Sequence, residues 1–120
     1  MKHRVWHLRG GIHPPENKKQ SLEFAIRAMP IPRYLTLSLS QHAGSPSSPC
    51  VSEGEHVLKG QIIAKNSSFI SATVHAPTSG TITDISPQST LHPSGIRQLC
   101  ITIESDGKDE WIAHSGINLF

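Results

Sequence analysis

Three things are scarce in this chain of 120 residues. Aromatic residues make up 5%, as three Phe, two Trp and one Tyr. Cysteine occurs twice, as Cys50 and Cys100, with no Cys-x-x-Cys between or around them. That excludes the usual signature of an iron–sulfur run, and a disulfide is not expected in a reducing cytosol. Long apolar runs are missing as well. No stretch approaches the roughly 20 residues of a membrane-spanning helix. Basic Met1–Arg9 is followed by no apolar stretch, so a secretory signal is not expected and the expected compartment is cytoplasmic. The net charge of +2 is too small for a nucleic-acid partner on charge alone.

What is present is a chain rich in turns. Nine Gly and nine Pro favour many short strands over a helical bundle. The length suits one core, and it is short for an enzyme with a bound cofactor. Charge is divided unevenly. Residues 1–33 hold seven of the eleven basic residues and only Glu16 and Glu23 as acids; the remainder has four basic and seven acidic residues. A basic leader of this kind is either a solvated arm or a contact for an anionic partner or membrane surface.

Gly10-Gly11-Ile12-His13-Pro14-Pro15 is too broken for a helix. Ser21–Met29 has helical spacing, with Ser21 as N-cap, Leu22, Ala25, Ile26 and Met29 on one face, and Pro30 and Pro32 as stops. Tyr34–Ser40 alternates Leu35, Leu37 and Leu39 with Thr36, Ser38 and Ser40, the pattern of a half-buried strand. Phe69–His75, Thr81–Ile85 and Gln98–Glu104 also read as strands. In the last, Leu99, Ile101 and Ile103 oppose Cys100, Thr102 and Glu104. Turn clusters at 44–49, 76–80, 87–95 and 105–108 separate them. Strands at this spacing indicate a sandwich or barrel.

The central block reads Val-x-x-Gly-Glu-x-Val-x-x-Gly-Gln-x-Ile over 51–63, then Val-x-Ala-Pro-x-x-Gly-x-Ile over 74–82. It resembles the biotinyl/lipoyl-like barrel-sandwich hybrid, an all-β fold. Gly54 and Gly60 are placed for positive φ at turns, and Gly80, after Pro77, is expected to serve the same way. A carrier domain would need a flanked lysine at the tip of the central hairpin. Here the tip is Asn66-Ser67-Ser68-Phe69, and Lys65 lies before it without those flanks.

The surrounding motifs extend the likeness. Gly10–Lys18, Leu39-Ser40-Gln41-His42-Ala43-Gly44, Lys59–Ala64, Ser71–Gly80, His92-Pro93-Ser94-Gly95 and Asp106–Trp111 occur in order. Together they resemble the start of the C subunit of the Rnf (also called Rsx) electron transport complex, over about residues 7–112. Ser38 and Thr73 stand where that family favours Pro. The resemblance implies an irregular arm over 1–33, a barrel-sandwich hybrid over 34–112, and a tail over 113–120 leading to a downstream domain. It further implies a parent that passes electrons between NADH and ferredoxin through FMN and [4Fe–4S] clusters, coupled to ion translocation. The segments that would bind those groups are not in this sequence, so the expected piece is the N-terminal domain, with no cofactor of its own. Its expected partners are the downstream domains and the other subunits, at the cytoplasmic face of the membrane; a free-standing adaptor is the other reading.

No residue announces catalysis. Eight histidines invite a metal site, but only His3 and His7 have four-residue spacing, and their segment has no helical pattern. His13, His42, His75 and His92 each adjoin a turn and are expected to bond loop backbone. With Gly10, Gly11, Gly44, Gly54, Gly60, Pro77, Gly80 and Gly95 they form the set of turn-fixing residues. Gly10–Gly11 lacks a phosphate-loop context, and Ser79 lacks the Gly-x-Ser-x-Gly of a nucleophile elbow. Trp6 and Trp111 are expected to pack together. The intact mass of the purified chain should equal that of the bare polypeptide. An increment matching biotin or lipoate would make it a carrier.

Overall fold

The computed structural model describes residues 10–12 and 14–113. The described part is almost entirely β. Seven strands follow in order: β1 (Tyr34–Ser38), β2 (Ser48–Pro49), β3 (His56–Val57), β4 (Ile62–Lys65), β5 (Val74–His75), β6 (Gly80–Gln88) and β7 (Gln98–Ser105). They form two antiparallel sheets, one ordered β1-β7-β6-β3 and the other β2-β4-β5.

The core is a set of cross-strand apolar rows. Leu35 pairs with Ile103, which pairs with Ile82; Leu37 pairs with Ile101, which pairs with Ile85. Leu39 continues the first strand's alternation, donating its N–H to the Leu99 carbonyl at 3.0 Å. Ile82 and Ile85 are three residues apart and would face opposite sides of a regular strand. The register shift between Ile82 and Asp84 leaves Thr83 as the extra residue, and this bulge returns Ile85 to the core side. A second shift, between Ile62 and Ala64, brings both Ile63 and Ala64 inside as consecutive buried residues. Val57, Ile63 and Ala76 complete the core.

Several elements differ from the sequence reading. The helix expected at Ser21–Met29 is one turn, α1 (Lys19–Leu22), and none of its residues is buried. Four residues make too few hydrogen bonds to offset nucleation, and no tertiary surface covers the apolar face. The strand expected over Phe69–His75 is only Val74–His75, because Phe69 and Ile70 lie on an exposed loop. In the other direction, β6 runs through Pro87 to Gln88, where a turn was expected. Pro87 pairs with Leu99 on β7, while β3 borders β6 only at Gly80 and Thr81. The far end of β6 is therefore an edge, where a missing N–H is tolerated. Cys100, expected on the polar side of β7, is buried too.

Gly80 is required for a different reason than the turn chemistry suggested. It opens β6 and is not among the glycines with positive φ. A Cβ there would run into the backbone carbonyl of Glu104 on β7, which cannot move aside as a side chain would. Gly54 is the contrast, with φ 83° and open space around it. Gly80→Ala should therefore lower unfolding free energy by about 2 kcal/mol or more, through forced backbone displacement. Gly54→Ala should cost about 1 kcal/mol, for left-handed strain only. Urea denaturation midpoints of the two variants check the order; equal losses would contradict it.

Candidate docking face

The residue that ties the two ends of the barrel together is Ser79. It is fully buried in the turn before β6. Its hydroxyl donates to Asp106 Oδ1 at 2.7 Å and accepts from the Glu110 N–H at 2.9 Å. Asp106 Oδ1 also accepts the Lys108 N–H at 2.9 Å, the two-residue Asx turn that an Asp-Gly sequence favours. Its Oδ2 meets His56 Nε2 on β3 at 3.2 Å. The Ser79 hydroxyl, with help from the Lys108 N–H and His56, holds the Asp106 carboxyl down to about 2. Aspartate lies between serine and histidine, so the histidine cannot take the serine proton. The trio is a clasp and not a nucleophile.

Beyond the clasp, the chain is laid against the β3–β4 turn. Lys59 and Trp111 form a parallel bridge: the Lys59 N–H donates to the Glu110 carbonyl at 2.8 Å, and the Ile112 N–H donates to the Lys59 carbonyl at 2.9 Å. The Lys59 side chain reaches Asp109 Oδ2 at 2.6 Å and sits 4.8 Å from the centre of the Trp111 ring. Hydrogen bonding to the Lys59 ammonium holds the Asp109 carboxyl below the usual carboxylate range. Trp111 remains 60% exposed despite these contacts.

This arrangement leaves an open cleft of about 850 Å³. Gly60–Ile62 forms one wall, His75–Pro77 another, and Trp111–Ala113 the third. The walls are braced by backbone bonds, Gly60 N–H to the Ala76 carbonyl and Ala76 N–H to the Gln61 carbonyl, both 2.8 Å. His75 Nδ1 donates to the Gly60 carbonyl at 2.8 Å, which fixes the ring against the wall. Its lining is more apolar than polar and presents an indole face, a combination suited to holding another polypeptide.

The turn-fixing residues fall into separate groups. Gly60, His75 and Pro77 converge on this cleft. His42, Gly44 and His92 line a second groove of about 1090 Å³ beside Gln88 and Gln98. There His42 Nε2 bonds the Ser45 carbonyl at 3.0 Å, and His92 Nδ1 accepts the Ser94 N–H at 3.2 Å. Positive φ occurs at Gly10 (84°), Gly44 (92°), Gly54 (83°), Gly60 (83°) and Gly95 (66°). Gly10 and Gly11 are exposed and far from crowding atoms, and Gly54 lies at neither groove. His13, and the expected Trp6 partner of Trp111, lie outside the described residues, as do His3 and His7.

Lys65 is the last residue of β4, opposite Ser48, and so precedes the exposed loop instead of crowning it. Burial pushes the Cys100 thiol up, away from reactivity. Among the described residues no three His, Cys, Asp or Glu side chains are grouped to hold a metal ion. The residues that sequence reasoning missed are Lys59, Ser79, Asp106 and Asp109. Only the Asx turn at Asp106 had a local signal.

Among the described residues the barrel carries two braced grooves. Its sequence places it more sharply: residues 6–108 match the model of the RnfC barrel sandwich hybrid domain, and the chain belongs to that family. It is 44% identical over 115 residues to the C subunit of the ion-translocating oxidoreductase complex of Klebsiella pneumoniae (strain 342). Identity to the protein of that name from Cronobacter sakazakii (strain ATCC BAA-894) is 45% over 115 residues. Each alignment covers 96% of this chain but 15% of the relative, so the chain spans about a seventh of the length of these curated proteins.

The clasp gives a pH dependence of known sign. An unfolded aspartate titrates near 3.9. Asp106, held near 2, stabilises the fold fully above that unfolded value, and the contribution disappears as pH falls through about 2. The melting-temperature gap between the parent chain and Asp106→Asn should be widest above pH 4 and narrow between pH 4 and pH 2. A gap constant across that window would remove Asp106 as the acid-sensitive group.

Proposed function

We propose that this chain is a non-catalytic docking domain at the N-terminal end of the C subunit in an ion-translocating electron transport complex. The observation that carries this reading is the cleft built around Trp111, where the chain leaves the barrel beside an exposed indole and a braced apolar wall. Similarity to the two C subunits over nearly the whole chain supports the assignment to that complex. In this reading the parent transfers electrons between NADH and ferredoxin, and the complex lies at the cytoplasmic face of the membrane. No helix among the described residues is long and apolar enough to cross a membrane, so attachment would be peripheral on their account.

The [4Fe–4S] clusters of such a parent do not fit this chain. A [4Fe–4S] cluster takes four thiolates. The sequence supplies two cysteines, one exposed near β2 and one buried in β7. The redox chemistry belongs to segments beyond the matched region. The role left to this domain is to hold those segments and the neighbouring subunits in place.

The test is a titration of this chain with the remainder of such a C subunit, from which the matching segment has been removed. Trp111→Ala and Ile62→Asp, on two walls of the cleft, should each weaken binding about tenfold or more, as central interface residues do. Phe69→Asp, on the exposed 66–73 loop, should leave it unchanged. Absence of binding, or full affinity in both cleft variants, would overturn the docking role.

A further inference from the structure

The arm before β1 carries a feature that the docking role does not use. Every described residue from Gly10 to Tyr34 is exposed. Among them are Leu22 (77% exposed), Phe24 (69%), Ile26 (104%) and Met29 (76%) within eight positions. Soluble surfaces rarely leave such a series uncovered without a contact to make. Arg27 and the acid Glu23 lie within it, Lys18 and Lys19 come just before it, and Lys2, Arg4 and Arg9 lie further upstream in the sequence.

We infer that residues 18–29 bind the surface of an anionic lipid bilayer, with the apolar side chains entering the headgroup region and the basic ones staying among the phosphates. Two observations favour lipid over a protein groove. The first is charge: leaving aside Arg33, which Glu104 holds, residues 1–32 have six basic side chains against two acids, a complement to a negative surface. The second is the arrangement of the apolar groups. α1 ends at Leu22 and residues 23–29 are not helical, so Leu22, Phe24, Ile26 and Met29 form no single helical ridge. A groove that takes a helix reads anchors at i, i+3, i+4 and i+7 from one face, a ridge this segment lacks. The Arg27 guanidinium lies over the Phe24 ring, 5.7 Å from its centre. That pair matches an interface where the ring sinks and the cation stays above it.

The inference stands apart from the Trp111 cleft, so each can fail alone. The whole 120-residue chain is mixed with vesicles of phosphatidylcholine, or of phosphatidylcholine with one-quarter phosphatidylglycerol, and sedimented. It should pellet with the anionic vesicles and stay in solution with the neutral ones, and raising salt from about 0.05 to 0.5 M should release it. Leu22→Asp with Ile26→Asp should lower partitioning on the order of tenfold or more. Both side chains lie outside the sheets, so the double variant should keep the parent's urea midpoint. Failure to pellet with anionic vesicles, equal binding to neutral ones, or undiminished binding by the double variant would overturn the inference. Crosslinking of the arm to another protein without vesicle binding would overturn it too and assign the arm to that protein.

Discussion

The buried hydroxyl of Ser79 is the point on which the closing half of the barrel depends. It joins the turn before β6 to Asp106 and Glu110, which are remote in sequence. Through Asp106 it also reaches His56 on β3. A buried hydroxyl left unbonded costs free energy, and this one is used as both donor and acceptor. Because Asp106 and Glu110 are fixed by it, the residues just after them arrive at Lys59 in register. The Lys59–Trp111 bridge and the cleft follow from that placement. The cleft is therefore a consequence of how the barrel is shut and needs no separate device.

The larger sheet supplies the rigidity behind it. Apolar rows across β1, β7 and β6 are continuous only because Thr83 bulges out and resets the phase of the strand. The turn at 52–55 is pinned onto the same strand, with the Gly54 N–H donating to the Ile82 carbonyl at 2.7 Å and the Ile85 N–H donating to Glu53 at 3.0 Å. The bulge thus serves two purposes. It aims Ile85 inward and leaves a backbone N–H for an acidic side chain from the neighbouring turn.

Much of this was legible in the sequence, and the reasons for what was not are physical. Leu35, Leu37 and Leu39 alternate, and Leu99, Ile101 and Ile103 do the same, so both strands and their buried faces followed from period alone. The spacing of Gly54 and Gly60 pointed to the all-β fold that the family match bears out. Ser21–Met29 misled because helical spacing describes which face could be buried, not whether anything buries it. Pro87 misled because its tolerance depends on which strand edge is free, a property of topology. Gly80 could be picked out as special, but its reason is the nearness of Glu104, which no local pattern encodes. The clasp was invisible for the same cause: Ser79 and Asp106 are ordinary turn residues until the fold brings them to 2.7 Å.

The uneven charge of the sequence takes on a meaning once the partners are known. The barrel's acids are largely engaged inside the domain. Glu53 and Glu55 accept backbone N–H groups, and Asp84 accepts from Ser86 and Gln88. Glu104 holds Arg33 and Tyr34, Asp106 forms the clasp, and Asp109 takes Lys59. These carboxylates fix turns and strand ends. Most of the arm's described cations are in the opposite position. Lys18 pairs only with its near neighbour Glu16, in full solvent, and Lys19 and Arg27 make no bond to the barrel. An exposed pair of that kind contributes little to stability, typically below about 1 kcal/mol. Of the described arm cations, Arg33 is tied to the barrel through Glu104, whereas Lys18, Lys19 and Arg27 are left outside it.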